Sequence, residues 1–555
     1  MGVAVSGPVC LSFNPQRRVE YRTLCSERAL RFFLAAVVAG VLLVGVAASA
    51  NAQQLVVQIA ANRSSISRGD TLTIGVTRQN PGLAGTLVDF YAGALLPDGH
   101  TLLLFTPSGV VVGSTSSLAA VHPLESAVNL SIPGTVSSQL LSVQFVDFMP
   151  PPGTYLFFYL ALTINALADG ILEPNEIVAV ATTSVRFDTL RSVAAGVGLK
   201  IGAAVQPQYI AQDLFYGPAL TTDFSEITPE NQMKFGPLRP TPTTFDFESA
   251  DTLVDFAVGN GMAVHGHTLV WHMQLPTWLT SGSWTRDQLI DILRTHIQTV
   301  VGRYKRKVAA WDVVNEAVDA TGQLRSTIWQ TIIGDDYIEM AFRWANEADP
   351  DAKLFYNDFG AEGLGTKSDA VYSLVRNLLM KGTPIHGVGL QMHVSQDFAP
   401  TPQNVVTNMQ RLAALGLQIH ISEMDVRLLV PPSPQTLALQ AQVYANMMHA
   451  CLTVTACTKF STWGFTDKHS WIPSFFPGFG AALMFDADYH PKLAYHALLA
   501  TLRGEQVSVS ADVPDENPSA GPGDGPSGTR RLGPRRSHWD VWLSDSLRRI
   551  DGRTR

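Results

Sequence analysis

The chain has 555 residues, of which 46% are apolar and 15% charged, and its formal net charge is -8. This length predicts about two to four domains with large apolar cores, and the composition excludes wholesale disorder. The modest negative charge argues against the strongly basic surface of a nucleic-acid-binding protein, so we expect no nucleic acid partner.

Residues 1–52 have the pattern of a signal peptide. Arg28 and Arg31 precede an uncharged apolar run at residues 32–50, and small residues follow up to Ala52. We therefore expect a secreted, extracellular protein, cleaved near Ala52 and without a stable membrane partner afterwards. The alternative is an uncleaved anchor, since an apolar run of this length can just span a bilayer.

Residues 53–190 alternate apolar and polar side chains, with turn residues between the runs. Examples of such runs lie at residues 71–76, 101–105, 141–145 and 154–161. This spacing predicts an all-β sandwich of about seven strands. Its role is open between a spacer and carbohydrate binding. Tyr91, Tyr155 and Tyr159 are the candidates for stacking on sugars, although strand aromatics are more often core residues.

Residues 193–503 have a different pattern, in which apolar strand-like runs alternate with helical stretches. The predicted strands are a short segment before Pro229 and residues 200–205, 263–270, 309–314, 354–356, 387–392, 418–422 and 460–464. Alternation of this kind predicts parallel strands with crossover helices. Eight such units in about 310 residues predict a closed (β/α)8 TIM barrel, which makes the fold class α/β.

Two further features lie near the C-terminal end. Cys451 and Cys457 would remain after the leader is removed, and in a secreted protein a close pair predicts a disulfide loop; the alternative is two buried free thiols. Residues 504–555 are rich in Pro, Gly and Ser and then in Arg, which predicts a disordered tail. An amphipathic basic helix that binds an acidic surface is the alternative for its last part.

The strands of the predicted barrel end in polar or aromatic residues, and barrel enzymes carry their chemistry at these ends. Two of these residues, Glu316 and Glu423, are carboxylic acids after apolar runs, where a charge costs desolvation energy unless it is paired or used. One acid and one nucleophile are the minimal apparatus for cleaving a glycosidic bond. The other strand-end residues include Glu230, Asn231, Lys234, His267, Trp271, Gln274, Asn315, Asn357, Phe359, Gln391, His393, Asp425, Trp463 and Trp471.

Several of these runs resemble the motifs of the family 10 glycoside hydrolases, which are mostly endo-β-1,4-xylanases. The matching runs, in family order and with barrel spacing, are residues 230–235 (ENQMKF), 264–272 (VHGHTLVWH), 311–316 (WDVVNE), 421–426 (ISEMDV) and 463–471 (WGFTDKHSW). A cysteine loop before the last strand is also frequent in the family. The resemblance covers residues 193–503 and implies a retaining endo-1,4-β-xylanase that acts on xylan or a related β-1,4-linked polysaccharide.

The resemblance also implies roles for individual residues. Glu316 would be the general acid/base and Glu423 the nucleophile, with carboxyl groups about 5–5.5 Å apart as a retaining mechanism requires. Asp425 would orient His393, which would hold Glu423, and Asn315 would bind the 2-hydroxyl of the sugar being cleaved. The remaining implied substrate-binding residues are Glu230, Asn231, Lys234, His267 and Gln274 on the glycone side, Trp271, Trp463 and Trp471 as stacking walls, Phe359 on the aglycone side, and Gln391.

The chain departs from the family pattern at two places. Phe235 stands where a tryptophan is common, and Phe359 stands where a tyrosine is common, so the aglycone side keeps an aromatic ring but lacks a hydroxyl. The chemistry needs no metal or organic cofactor, and the sequence fixes no oligomeric state. The alternatives to a xylanase are a broader β-1,4-glycanase that also cleaves cellulose-type or aryl glycosides, a non-catalytic polysaccharide-binding barrel, and a surface scaffold.

Overall fold

The computed structural model of the protein describes residues 54–118, 121–145 and 149–507. The predicted signal peptide and nearly all of the predicted tail lie outside these residues. The chain divides between Asp188 and Thr189 into two compact units. Among the helices of the described residues, none combines the length and the apolar character needed to cross a membrane.

Within its described residues the first unit is all-β, with ten strands in two sheets. Strands β1, β3 and β8 form one sheet; β2, β10, β9, β4, β5 and β6 follow one another in the second, where β7 also pairs with β4. The strands are β1 (Val56–Ala61), β2 (Ser65–Ile66), β3 (Thr71–Asn80), β4 (Leu87–Leu95), β5 (Thr101–Thr106), β6 (Gly109–Ser114), β7 (Glu125–Asn129), β8 (Gly134–Gln144), β9 (Gly153–Thr163) and β10 (Ile177–Phe187). The count exceeds the expected seven partly because exposed strands such as β6 lack the alternation of a half-buried strand.

Side chains from both sheets of the first unit share one apolar core. Leu72 and Ile74 of β3 belong to the same buried cluster as Phe90 of β4. Tyr155 and Tyr159 lie in this core and are each 2% exposed, and Tyr91, in a second apolar cluster, is 4% exposed. The three tyrosines are therefore core residues and cannot stack on sugars, which corrects the aromatic candidates named from the sequence.

The second unit is a closed parallel barrel, which confirms the predicted fold class. Eight strands pair in sequence order, and the last pairs with the first, so the described sheet has no open edge. The barrel strands are β11 (Lys200–Val205), β12 (Glu226–Pro229), β13 (Ala263–Val270), β14 (Ala310–Asn315), β15 (Lys353–Asp358), β16 (Gly387–Leu390), β18 (Gln418–Leu429) and β19 (Cys457–Thr462). Two short strands, β17 (His393–Ser395) and β20 (Phe479–Gly480), pair with the outer part of β18.

The helices of the second unit connect the strands and cover the barrel. Their apolar faces join the barrel strands in one continuous core, as the (β/α)8 fold requires. The helices are Leu190–Gly196, Pro207–Gln212, Tyr216–Asp223, Phe235–Leu238, Glu248–Gly259, Thr277–Thr280, Arg286–Arg303, Ile328–Ile333, Tyr337–Ala348, Thr366–Met380, Pro402–Ala413, Pro434–Thr453, Ile472–Phe475 and Leu493–Leu502.

Two predicted strands differ from the structure. The run 387–392 is divided between β16 and β17, because Met392 has a left-handed φ of 65° that interrupts the extended backbone. The run 418–422 continues to Leu429, since its outer residues pair with β17 and β20. Both differences lie at the carboxyl ends of the strands.

The predicted disulfide is present. Cys451 in the last turns of the helix Pro434–Thr453 is bonded to Cys457, the first residue of β19. The bond ties the last long helix before β19 to the start of that strand, six positions away.

Candidate active site

A cleft of about 300 Å³ opens at the carboxyl ends of the barrel strands. Every side chain predicted to act in catalysis or substrate binding lines it, except Asp425, which is 0% exposed. The lining residues are Glu230, Asn231, Lys234, His267, Trp271, Met273, Gln274, Asn315, Glu316, Phe359, Gln391, His393, Glu423, Trp463, Trp471, Ser474, Phe475 and Phe476. Strand ends far apart in sequence therefore meet around one cavity.

Glu423 lies within β18 and is 4% exposed. Its Oε1 accepts a hydrogen bond of 2.6 Å from Asn357 Nδ2, and its Oε2 lies 3.1 Å from His393 Nε2. Burial raises the pKa of Glu423, but the His393 hydrogen bond and the nearby imidazoles of His267 and His393 outweigh it, so the pKa lies below its ordinary value. The environment therefore favours an ionised Glu423.

His393 bridges Glu423 and Asp425. The β17–β18 register places His393 opposite Asp425, and the His393 Nδ1 to Asp425 Oδ2 distance is 2.8 Å. Trp471 Nε1 donates to the same oxygen at 2.9 Å. Burial lowers the pKa of His393, but the Asp425 and Glu423 carboxylates raise it more, to about 10. A cation therefore sits between two carboxylates, and it stabilises the charge on Glu423.

Glu316 follows β14 with a left-handed φ of 57°, which turns the chain out of the strand into the cleft. Its backbone N–H donates to Asn357 O at 2.8 Å, which fixes this turn. The side chain is held from both sides: Trp271 Nε1 donates to Oε2 at 2.9 Å and Gln391 Nε2 to Oε1 at 3.2 Å. The carboxyl group is thus fixed in the cleft and remains within reach of a ligand there.

The Glu230–Lys234 segment forms a polar wall of the cleft. Asn231 Oδ1 accepts from Lys234 Nζ and from Gln274 Nε2, each at 3.2 Å. The Lys234 ammonium lies 4.8 Å from the ring centroid of Trp271. Burial raises the pKa of Glu230 and lowers that of Lys234, and their mutual attraction opposes both shifts. This wall offers hydrogen-bond donors and acceptors beside an aromatic face, which suits a hydroxylated ring.

One group of three side chains among the described residues could surround a metal ion: His267, Asp312 and Glu423. Their polar atoms already have partners, because Asp312 Oδ2 lies 2.9 Å from His267 Nδ1 and Glu423 is bonded to Asn357 and His393. The geometry is that of a hydrogen-bonded ion network.

Sequence reasoning missed several residues of the site. Asn357 was noted at a strand end but given no role, although its amide touches both Glu423 and Asn315. Asp312 lies inside the barrel, three residues before the end of β14, so a prediction based on strand ends does not include it. Met273, Ser474, Phe475 and Phe476 also line the cleft, and only their position after predicted strands could have marked them.

Comparison with known proteins places the second unit in a well-populated group. The model of Glycosyl hydrolase family 10 matches residues 189–501. The chain is 47% identical to endo-1,4-beta-xylanase B of Thermotoga neapolitana over 277 residues, which are 50% of this chain and 80% of that protein. The structure resembles native xylanase 10B from Thermotoga maritima with a TM-score of 0.56 and 43% identity, covering 57% of this chain and 98% of the other. The structure also resembles xylanase 10B from Thermotoga petrophila RKU-1, which was solved in complex with xylobiose. The TM-score is 0.56 and the identity 43%, and the match covers 57% of this chain and 98% of the other.

Proposed function

Because the chain belongs to glycosyl hydrolase family 10, we propose that it is a secreted, retaining endo-1,4-β-xylanase that cleaves internal β-1,4 bonds of xylan. The observation that carries this proposal is the pair of buried glutamates, Glu316 and Glu423, each held by hydrogen bonds in one cleft. The similar xylanase solved with xylobiose supports a xylose-based substrate. Secretion rests on the signal-peptide pattern of residues 1–52.

In the first half-reaction Glu423 attacks the anomeric carbon of the sugar at the cleavage point. The bond from that carbon to the leaving oxygen breaks while Glu316 gives its proton to this oxygen, so the shortened chain leaves with a new hydroxyl. A covalent ester between the sugar and Glu423 remains. The low pKa of Glu423 supports this role, because the nucleophile must be ionised.

In the second half-reaction Glu316, now a carboxylate, takes a proton from water. The water oxygen attacks the anomeric carbon from the face that the leaving group vacated, and the ester bond to Glu423 breaks. Two inversions restore the original β configuration. Glu316 gives up its proton in the first half-reaction and takes one from water in the second, so one residue serves as acid and then as base.

The other cleft residues position the sugar. Asn315 lies beside Glu316, and we assign it to the 2-hydroxyl, a contact that strengthens in the transition state. Glu230, Asn231, Lys234, His267 and Gln274 supply polar groups on the glycone side, Gln391 supports Glu316, and the indoles of Trp271, Trp463 and Trp471 wall the cleft. Phe359 offers an aromatic face to an aglycone sugar. Asp425 acts through His393.

The test is time-resolved proton NMR of a β-1,4-linked xylohexaose incubated with residues 53–555. The proposal predicts internal cleavage, with the β-anomer of the new reducing end appearing before the α-anomer. If the α-anomer appeared first, the assignment of Glu423 as the nucleophile would be refuted. Equal turnover of a β-1,4-linked glucan would show the broader glycanase.

A matched variant separates an enzyme from a polysaccharide-binding barrel. Glu423→Ala is expected to abolish turnover while xylohexaose still binds, because the other cleft contacts remain. Glu505, in the described C-terminal part of the second unit and absent from the cleft lining, provides the control Glu505→Ala, which should turn over at the wild-type rate. Unchanged turnover in Glu423→Ala would overturn the assignment.

A further inference from the structure

A buried column of charged and polar side chains runs through the interior of the barrel below the cleft. We call Lys459, Glu226, His265 and Asp312 the barrel column. Glu226 on β12 is 1% exposed, and its Oε1 lies 2.6 Å from the ammonium of Lys459 on β19, which is 0% exposed. Lys200, at the start of β11, contacts the other oxygen of Glu226 at 3.0 Å. Two cations therefore meet one carboxylate near the amino-terminal ends of the strands.

The column continues from Glu226 toward the candidate nucleophile through two hydrogen-bond contacts and two longer charge contacts of 3.9 Å. His265 Nδ1 lies 3.9 Å from Glu226 Oε1, and His265 Nε2 lies 2.9 Å from Asp312 Oδ1. The second oxygen of Asp312 lies 2.9 Å from His267 Nδ1, which is 3.9 Å from Glu423 Oε1. His265, Asp312 and His267 are each at most 2% exposed.

Proton positions follow from this geometry. The ionised carboxylate of Asp312 can only accept, and Asp312 is held ionised because the flanking histidines lower its pKa against the effect of burial. The nitrogens that face it, His265 Nε2 and His267 Nδ1, therefore both carry hydrogen. Nε2 of His267 is then the nitrogen left for a sugar hydroxyl in the cleft. The column thus sets which way the His267 ring is held and which nitrogen it presents.

The Lys459–Glu226 pair is not explained by stability alone. Taking both charges out of water costs about as much as their attraction returns, and apolar residues of similar volume often stabilise a core equally well. We therefore looked for a role of this lysine and glutamate in the site above them.

We propose that the Lys459–Glu226 pair is a positioning element of the reaction, which fixes His265, Asp312 and His267 in line and sets the electrostatic environment of Glu423. Neither residue touches the cleft, so both act through the column. The inference rests on the proposed function, because it concerns the nucleophile of that reaction.

The charges around the two ends of the column determine the direction in which the acid limb of kcat/KM should move. Glu226 is faced by Lys459, Lys200, His265 and His420. Glu423 is faced by His267, His393, Asp312 and Lys234. Removing the Lys459 cation leaves Glu226 less neutralised, and the added negative potential disfavours the charged form of Glu423. The acid limb of kcat/KM should then move to higher pH, by on the order of half a pH unit for charges separated by a few side chains.

The experiment measures kcat/KM against pH on xylohexaose for the full chain, Lys459→Met, and the double variant Lys459→Met/Glu226→Gln. We expect the acid limb to move to higher pH in Lys459→Met and to return toward the wild-type position in the double variant, whose pair is neutral. A purely structural role predicts lower activity without this reversal. Lys353, an exposed lysine at the start of β15, gives the control Lys353→Met, which should leave the limb in place.

The outcomes are distinct. The inference is refuted if the acid limb does not move in Lys459→Met, or if the second substitution does not reverse the shift. Neither result contradicts the proposed function. If Lys459→Met does not fold, Lys200→Gln removes a half-exposed charge from the same carboxylate, and a shift in the same direction is required. A wild-type chain that cleaves no xylohexaose refutes the proposed function, and the inference falls with it.

Discussion

The charge of His393 is expected to control the pH at which Glu423 becomes active. Replacing His393 with glutamine keeps a hydrogen-bonding side chain of moderate size but removes the cation. In the structure this cation touches Glu423 and Asp425 at 3.1 and 2.8 Å. Because the cation lowers the pKa of Glu423, its removal raises that pKa. The acid limb of kcat/KM, which reports ionisation in the free enzyme, should move to higher pH.

The magnitude follows from the kind of contact. A hydrogen bond to a charged group contributes about 1.5–3 kcal/mol, and one pH unit corresponds to about 1.4 kcal/mol. The limb should therefore move by about 1–2 pH units. At pH values below the shifted limb, kcat/KM of His393→Gln should be at least about tenfold lower than that of the wild-type chain. At pH values well above the limb, the loss should be smaller.

The assay is the pH dependence of kcat/KM on xylohexaose, with folding checked by thermal unfolding. His272 gives a matched control, because burial lowers its pKa to about 3 and it carries no charge at the pH of the assay. His272→Gln should leave the acid limb in place. An unmoved limb in folded His393→Gln would refute the assignment of the cation and, with it, our account of how Glu423 stays ionised.

Three further predictions concern affinity and stability. Phe359→Tyr restores an aglycone hydroxyl and should lower KM for xylohexaose by about 2- to 10-fold, the range of one neutral hydrogen bond, in steady-state kinetics; an unchanged KM would place the ring away from the substrate. Replacing Cys451 and Cys457 with alanine opens a short loop and should lower the free energy of unfolding by about 2 kcal/mol in denaturant titrations, whereas no change would mean that the loop adds no constraint. Burial lowers the pKa of His393, but its carboxylate partners raise it to about 10, so native protein holds a proton that unfolded protein loses above about pH 6.5. The free energy of unfolding should therefore decline as the pH rises from about 6.5 to about 10, and the decline should be weaker in His393→Gln.

The barrel could be predicted from the sequence because its signals are local. Each strand is a short apolar run, and each run ends in polar residues that face the same end of a parallel barrel. Glu316 and Glu423 could be found in this way, since a carboxylic acid after an apolar run is costly unless it is used. The first unit was harder to predict, because exposed strands such as β6 have no alternation and because burial of the three tyrosines depends on how the sheets pack.

The amino-acid sequence by itself determined the barrel, the pair of glutamates and the disulfide loop, because these depend on residue type and spacing along the chain. Only the tertiary structure decided that Asn357 donates to Glu423, that Asp312 joins two histidines, and that Lys459 lies against Glu226. These contacts join residues on different strands, separated by up to 233 positions. The side chains point into the barrel, where strand closure and not sequence distance sets which groups meet, and the charge of each then depends on partners that no local pattern reveals.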